Sequence, residues 1–198
     1  MNAKTQDTRQ HILNIGYQLV VNKGFTAVGL SELLSTAQVP KGSFYHYFKS
    51  KEQFGEALIS EYIREYMARS NAILTQTDLN GFERLVHYFS RWLEKDSGTC
   101  NANRCLVVKL SAEVADLSEP MRQSLAKGAE MVIESLARCI EVGIDDGSVQ
   151  VVNAHATATQ LYQQWLGASL LNKLVQDETH LELCLLSSKA LLGNPAVK

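Results

Sequence analysis

Residues 39–52 read VPKGSFYHYFKSKE, and this stretch decides how the N-terminal part of the chain folds. Pro40 is well placed in a first helical turn, so we expect a short helix from there to about Tyr47. Phe44 and Phe48 lie four residues apart and therefore share one helix face, which we expect to be buried. Because four aromatics in five residues cannot all be buried on one short helix, the other side chains are expected to face solvent.

A second short helix is predicted just upstream, over Leu30–Ala37, and Gln38 and Val39 leave only a tight turn between the two. Two short helices joined in this way form the geometry that presents a recognition helix to the major groove of DNA. The outward side chains of the second helix are donors for base edges and phosphates. These donors are Lys41, Ser43, Tyr45, His46 and Tyr47. Gly42 lets the backbone approach closely, and Lys51 opposes the dipole of the next helix, which an external anion would offset.

Apolar spacing and capping residues predict helices in the rest of the chain as well. The further segments are 7–23, Ser50 to beyond Met67, 81–95, 103–115, 118–143, 153–175 and 179–192, which makes nine helices in all. Capping boxes are expected at Ser50 and Thr179, and Asn103 is expected to cap the segment that follows it. Residues 149–152 form the only β-like stretch, and it is too short to stand alone. The predicted fold class is therefore all-α.

Composition excludes several classes of protein. The chain has 198 residues, of which 45% are hydrophobic and 20% charged, as in globular domains rather than disordered chains. It has no apolar run of roughly 18 residues, no signal peptide and no Cys-x-x-Cys pair, so we expect a cytoplasmic protein with free thiols and no membrane partner. No catalytic constellation or phosphate loop stands out, so we predict neither enzymatic activity nor a cofactor.

Charge is distributed unevenly along the chain. Residues 1–51 carry six Lys or Arg against two acids, a charge of +4, whereas the remaining residues carry thirteen against nineteen, a charge of −6. An asymmetry of this kind favours a nucleic-acid contact near the N-terminus.

The N-terminal motif resembles the DNA-binding domain of the TetR family of repressors. The resemblance rests on Gly24-Phe25, Leu33-Leu34, Ala37, Val39 and residues 41–52. It implies a helix-turn-helix DNA-binding domain over 1–50 and a regulatory, ligand-sensing and dimerisation domain over 51–198. It further implies a homodimer on a palindromic double-stranded operator. Where the family usually has Thr or Ser, this chain has Val28, Gly29 and Pro40.

The resemblance also implies roles for individual residues. Those that approach bases would be Lys41, Gly42, Tyr45 and His46. Those that hold phosphates would be Ser43, Tyr47 and Lys51.

Cys105 is the most informative cysteine of the C-terminal part. If Asn103 caps a helix, Cys105 lies in its first turn, where the helix dipole, Arg104 and Lys109 all favour the thiolate. The thiolate is the nucleophilic form and the target of oxidation. An alternative interpretation makes Cys105 a small buried hydrophobe, with Lys109 paired to Glu113 instead.

The segment 105–119 (CLVVKLSAEVADLSE), together with residues 39–48 and 165–168, resembles those TetR-type repressors that sense electrophiles and oxidants. This resemblance implies that Cys105 is the sensing thiol and that a reactive electrophile or oxidant releases the repressor from genes for detoxifying reductases. It also implies that Lys173 is the amine near the thiol. The alternative is a TetR-type repressor that binds a small hydrophobic ligand reversibly.

The other candidate features are weaker. Cys100 lies in a polar loop and is a candidate for a resolving thiol, whereas Cys139 and Cys184 lie on apolar faces that predict core positions. His180 and Cys184 are four residues apart, but two ligands do not make a metal site, so no metal is predicted. Two segments are predicted to form a dimer surface. Residues 181–192 are apolar on more than one side, and residues 158–171 combine small residues with Leu161, Tyr162, Trp165, Leu166 and Leu170.

A thiol-dependent enzyme or redox-interaction protein is a third interpretation. It would leave the helix-turn-helix motif unexplained, and substrate turnover without DNA binding would favour it.

Overall fold

The computed structural model describes residues 3–96 and 99–193, and this part of the chain contains nine α-helices. They are α1 (Ala3–Lys23), α2 (Leu30–Ala37), α3 (Lys41–Tyr47), α4 (Lys51–Leu74), α5 (Gly81–Ser90), α6 (Leu106–Val114), α7 (Glu119–Asp145), α8 (Ala154–Val175) and α9 (Thr179–Leu191). A 3₁₀ helix, Asn101–Arg104, follows two antiparallel two-residue strands, β1 (Lys95–Asp96) and β2 (Thr99–Cys100). The all-α prediction is confirmed, and residues 149–152 form no strand.

The chain divides into two compact units. The first contains the N-terminal segment up to Arg64 together with Lys109–Gly128, and the second contains Glu65–Val108 together with the segment from Ala129 onward. The chain passes from one unit to the other within α4, α6 and α7. The predicted boundary at residue 50 separates a DNA-binding function from a regulatory function, whereas these two units are defined by contacts within the chain. The functional boundary stays a prediction.

Three phenylalanine rings form the centre of the first unit. Phe44 of α3 and Phe48 directly after it are buried, as their spacing predicts, and their ring centroids are 5.3 Å apart. Phe54 of α4 lies 5.7 Å from Phe44 and 5.3 Å from Phe48. A Cβ atom at Gly16 of α1 would lie 2.3 Å from Cζ of Phe54, so α1 passes this closely because the position carries no side chain. The three rings therefore orient α3.

The turn between α2 and α3 is as tight as the sequence predicts. Gln38 adopts a left-handed conformation with φ of 54°, and its N–H donates to the carbonyl oxygen of Ser35 at 3.2 Å. The N–H of Val39 donates to the carbonyl oxygen of Leu34 at 3.1 Å. Pro40 is extended and precedes α3, so this helix begins one residue later than predicted.

The two predicted capping boxes differ in outcome. At the start of α4, Ser50 Oγ accepts from the N–H of Gln53 at 3.1 Å, and Gln53 Oε1 accepts from the N–H of Lys49 at 2.6 Å. The box at Thr179 is wrong. Thr179 already lies inside α9, no side chain caps that helix, and the N–H of Thr179 donates to Asp177 Oδ1 at 3.1 Å.

Trp165 of α8 is the centre of the second unit. Its buried ring stacks on Phe89 of α5, with centroids 4.9 Å apart and an interplanar angle of 11°. Its Nε1 donates to Ser188 Oγ of α9 at 2.9 Å, so one side chain joins three helices. Leu161 and Tyr162 are buried beside it, so the prediction that these three residues contribute to a dimer surface is wrong.

Helices α5 and α7 approach each other at two glycines. A Cβ atom at Gly81 would lie 2.3 Å from the Cα atom of Gly143 and 2.4 Å from its nitrogen. Because the obstacle is backbone rather than a flexible side chain, a larger residue forces the helices apart.

Gly81→Ala is therefore expected to lower the free energy of unfolding by about 1–3 kcal/mol through overpacking. Gly42→Ala is the matched control, because a Cβ atom there meets nothing within 4 Å and the position lies in α3. The control should stabilise the protein by up to about 1 kcal/mol, since alanine favours helix. Thermal melting followed by circular dichroism measures both. Equal melting temperatures for the two variants would contradict the close approach.

Candidate functional site

Helix α3 presents one exposed face. Phe44 is buried, whereas the residues predicted to approach bases are all exposed. These are Lys41, Gly42, Tyr45 and His46. The Tyr45 ring packs edge-on against Phe44 at 5.4 Å between centroids, and Lys41 Nζ lies 5.9 Å from the Tyr45 centroid. The buried ring thus positions Tyr45, and Tyr45 positions Lys41. Their roles toward DNA stay predictions.

The residues predicted to hold phosphates lie at the margin of this face. Ser43 and Tyr47 are half-buried in α3, and Lys51 is half-buried in the first turn of α4. Lys51 Nζ donates to the carbonyl oxygen of Thr26 at 3.3 Å and lies 4.8 Å from the centroid of the Phe25 ring. The amine therefore has partners within the chain, and its phosphate contact stays a prediction.

Cys105 lies at a helix junction that differs from the prediction. Asn103 does not cap a helix. It belongs to the 3₁₀ helix, and its Oδ1 accepts from Asn172 Nδ2 of α8 at 3.0 Å. Cys105 is the residue directly before α6 rather than part of its first turn, and it is only 8% exposed. The tertiary hydrogen bond uses the side chain that the sequence assigned to capping.

The basic residues expected near the thiol occupy different elements. Arg104 ends the 3₁₀ helix, Lys109 lies in the first turn of α6, and both are half-buried. Lys173 is exposed in the last turn of α8 and directly follows Asn172, which is bonded to Asn103. The structure therefore anchors the chain next to Lys173 to the segment that leads to Cys105. The sensing roles of these residues stay predictions.

Three tyrosines interact electrostatically with Cys105, an association that the sequence analysis did not predict. Tyr88 and Tyr162 are buried, and the hydroxyls of Tyr66 and Tyr88 share a hydrogen bond 2.5 Å long. Burial is the main reason that the pKa values of all three tyrosines are raised, and the charge that Cys105 carries as a thiolate raises them further. The thiol thus lies within electrostatic range of three phenols. Their positions, on α4, α5 and α8, leave no signal in local sequence.

The other three cysteines are buried and poorly ionised. Cys100, predicted in a polar loop, is instead buried in β2, and its Sγ donates to the carbonyl oxygen of Trp92 at 2.7 Å. Burial raises its pKa. Burial also raises the pKa of Cys139 and of Cys184 to about 11, which agrees with their predicted core positions.

Glu113, in the last turn of α6, makes the contact that sequence reasoning missed. Its Oε2 accepts from the N–H of Phe25 at 3.0 Å, and its Oε1 accepts from the N–H of Thr26. Burial raises the pKa of Glu113, but hydrogen bonds from Thr26 and Phe25 and the charge of Lys109 outweigh it, so the pKa lies below its ordinary value. The Lys109–Glu113 attraction of the alternative interpretation is present, yet the carboxylate accepts its hydrogen bonds from backbone N–H groups.

Two features are absent from residues 3–96 and 99–193, the part of the chain that the structure describes. No group of three or more His, Cys, Asp or Glu side chains there is arranged to hold a metal ion. None of the helices in this part of the chain combines the length and the apolar character needed to cross a membrane.

Comparison with known proteins places these features in context. The family described as bacterial regulatory proteins, tetR family, matches residues 12–58, and a tetracyclin repressor-like C-terminal domain matches residues 81–186. The HTH-type transcriptional repressor NemR of Escherichia coli (strain K12) is 42% identical over 199 residues, which cover 100% of both chains. The HTH-type transcriptional repressor DhaR of Mycobacterium sp. (strain GP1) is 29% identical over 88% of this chain and 86% of its own.

Solved structures agree with this comparison. The crystal structure of E. coli NemR in its reduced form has a TM-score of 0.88 to this chain at 43% identity, and it covers 96% of this chain and 100% of that one. Regulatory protein TetR from Rhodobacter sphaeroides has a TM-score of 0.82 at 29% identity, covering 92% and 97%.

A helix-turn-helix motif, formed by α2 and α3 with α3 exposed, followed by further helices defines a DNA-binding regulator. The full-length identity and both family matches make the assignment specific. This chain belongs to the TetR family of bacterial regulatory proteins.

The raised pKa values predict the reactivity of the thiols. Because the thiolate is the nucleophile, Cys100, Cys139 and Cys184 should alkylate slowly at pH 7, and the rates of Cys139 and Cys184 should rise about tenfold per pH unit toward pH 11. Mass spectrometry after a limiting dose of N-ethylmaleimide measures the extent of alkylation of each cysteine in wild type and in Cys105→Ser. Equal uptake by both proteins at pH 7 would show that Cys105 is not the fast thiol.

Proposed function

We propose that this protein is a homodimeric transcriptional repressor that binds a palindromic operator and is released when an electrophile or oxidant reacts with Cys105. The observation that carries the DNA-binding part is the exposed face of α3, held outward by the buried Phe44 and Phe48. The name of the NemR relative supports the role of repressor, and the structure of that relative in its reduced form supports a redox response. A protein with this role acts where the DNA is, which favours the cytoplasm.

The DNA-contacting residues of α3 and of the start of α4 divide into two groups in this proposal. Lys41, Gly42, Tyr45 and His46 approach base edges, because they are exposed on one side of α3. Ser43, Tyr47 and Lys51 hold phosphates at the margin of that face. Residues 1–50 would thus read DNA, and residues 51–198 would sense the inducer and dimerise.

Two helices of the second unit support a homodimer. Leu170, at 50%, and Leu174, at 70%, are exposed on α8, and Leu183 and Leu186 are exposed at 55% and 62% on α9. Large apolar side chains on two neighbouring helices form a surface that a second copy would cover by two-fold symmetry. One short recognition helix offers few base contacts, so two copies on successive half-sites supply the specificity.

The sensing step is an addition to the Cys105 sulfur. With an activated alkene such as N-ethylmaleimide, an S–C bond forms at the β-carbon, the C=C π bond breaks, and the α-carbon takes up a proton. With hypochlorous acid, the thiolate and the acid give a sulfenic acid and chloride, so the sulfur is oxidised by two electrons. Both products enlarge the side chain directly before α6.

Substitution of two lysines separates base contacts from phosphate contacts. Lys41→Ala should weaken binding to the operator by about 1–3 kcal/mol more than binding to unrelated DNA. Lys51→Ala should weaken binding to all sequences alike and reduce the salt slope by about one. Fluorescence anisotropy over a salt series measures both. Lys127→Ala, an exposed lysine of α7, is the control for loss of one charge. Unchanged affinity and salt dependence in Lys51→Ala would remove Lys51 from the interface.

Cys105→Ser tests the sensing thiol. The variant should bind operator as wild type does but stay bound when N-ethylmaleimide or hypochlorite is added. A DNA-shift titration compares it with wild type and with a triple variant that keeps only Cys105. The triple variant should be released as wild type is. If Cys105→Ser is released as readily as wild type, the sensor lies elsewhere. If no thiol reagent releases either protein, reversible binding of a hydrophobic ligand replaces the covalent mechanism.

A further inference from the structure

The turn between α1 and α2 is held by a carboxylate from α6. Glu113 accepts from the N–H groups of two successive residues, Phe25 and Thr26, and each of these is 87 or 88 residues away in sequence. The backbone there passes very close, because a Cβ atom at Gly24 would lie 3.0 Å from Glu113 Oε2. Gly24 itself has φ of +88°, a conformation that favours glycine. The backbone conformation at Gly24 and the lack of a side chain there thus allow the Glu113 carboxylate to reach the two N–H groups.

The same turn is tied to the recognition helix-turn-helix by other contacts. Lys51 Nζ donates to the carbonyl oxygen of Thr26, and the N–H of Val28 donates to the carbonyl oxygen of Phe25 at 3.3 Å. Phe25 and Val28 are buried. A displacement of the turn therefore acts on the start of α2 and on α4, which flank α3 in the chain.

Helix α6 connects this contact to the thiol. The helix begins directly after Cys105, and Glu113 lies in its last turn, eight residues later, or about 12 Å along a helix. Sharp kinks in helices arise mainly at proline, at Gly/Ser pairs or at bulges, and α6 contains neither proline nor glycine. A change at Cys105 that shifts the first turn of α6 thus shifts Glu113 too.

We propose that Glu113 is the positioning residue that couples Cys105 to the DNA-reading helices, through its two hydrogen bonds to the 25–26 backbone. This inference rests on the proposed function, since it needs Cys105 to be the sensor. The bonds tie the turn to α6, so the position of the turn follows that of the helix. Modification of Cys105 displaces α6, and Glu113 displaces the turn.

The chemistry of the contact makes Glu113→Gln the decisive variant. A carboxylate offers an acceptor to each N–H, and such charge-assisted bonds are stronger than neutral ones. A glutamine has the same shape but only one acceptor oxygen, so one N–H of the turn would face an amide NH₂. Glu119→Gln is the matched control. Glu119 belongs to the same unit, but its carboxylate is exposed and binds Arg122 and Gln123 on its own helix.

The experiment measures two quantities on the same samples. N-ethylmaleimide is added in steps, mass spectrometry reports the fraction of Cys105 that is alkylated, and fluorescence anisotropy reports the fraction of operator released. We expect Glu113→Gln to be alkylated at the wild-type rate and, when fully alkylated, to hold operator at least tenfold more tightly than fully alkylated wild type. Glu119→Gln should follow wild type in both. Release that tracks alkylation in Glu113→Gln as in wild type overturns the proposal, and so does loss of operator binding by a reduced variant that still melts as wild type does.

A measurement on the wild-type protein covers the case in which Glu113→Gln does not fold. Amide hydrogen exchange at Phe25 and Thr26 should become at least tenfold faster when Cys105 is alkylated, whereas exchange at Gln53, whose N–H donates to Ser50, should not change. Unchanged exchange at residues 25 and 26 overturns the proposal. Cys105→Ser separates this failure from that of the proposed function. If the proposed function fails, the reagent releases Cys105→Ser from operator as it releases wild type. If only the coupling through Glu113 fails, Cys105→Ser stays bound.

Discussion

The packing of Phe44 and Phe48 against Phe54 determines which face of α3 is exposed, and the proposed DNA contacts depend on it. Truncation of a buried Phe to Ala costs about 3–5 kcal/mol, a large share of the roughly 5–15 kcal/mol that stabilises a typical domain. The exposed face of α3 is therefore held in place, since turning the helix would expose these rings. Tyr45 extends this order outward through its edge-on contact with Phe44.

Local features of the fold could be predicted from the sequence, and long-range ones could not. The nine helices, the tight turn at Gln38 and the Ser50 cap follow from spacing and from groups a few residues apart. The caps assigned to Asn103 and Thr179 are wrong for different reasons. Thr179 lies inside α9 rather than before it, whereas the Asn103 side chain has a distant partner. Asn103 binds Asn172, which is 69 residues away, and no local pattern reports that bond. The contact of Glu113 with the 25–26 backbone could not be predicted for the same reason. Every residue except proline has a backbone N–H, so the sequence does not mark Phe25 and Thr26 as partners.

The candidate site shows a similar division. The side chains of α3 could be placed because one helix face was plainly apolar, but the surroundings of the thiols depend on tertiary packing. Cys100 reads as part of a polar loop, yet it is buried beneath the backbone of Trp92. Burial disfavours the thiolate at Cys100, Cys139 and Cys184. The selectivity for Cys105 that we propose would therefore depend partly on suppression of its competitors and not only on its position at a helix start.

The size of the Glu113 contact matches what a switch of this kind requires. A hundredfold loss of operator affinity corresponds to about 2.8 kcal/mol. Hydrogen bonds to charged groups contribute about 1.5–3 kcal/mol each, so the bonds to Phe25 and Thr26 can carry a change of that order without unfolding the helix-turn-helix motif. Because they end on backbone, they act on the position of the turn and leave the side chains of α3 unaltered. DNA recognition would then use the side chains of α3, and the switch would use Glu113 and the 25–26 backbone. Modification of the thiol would change the position of α3 and leave its base contacts chemically unchanged.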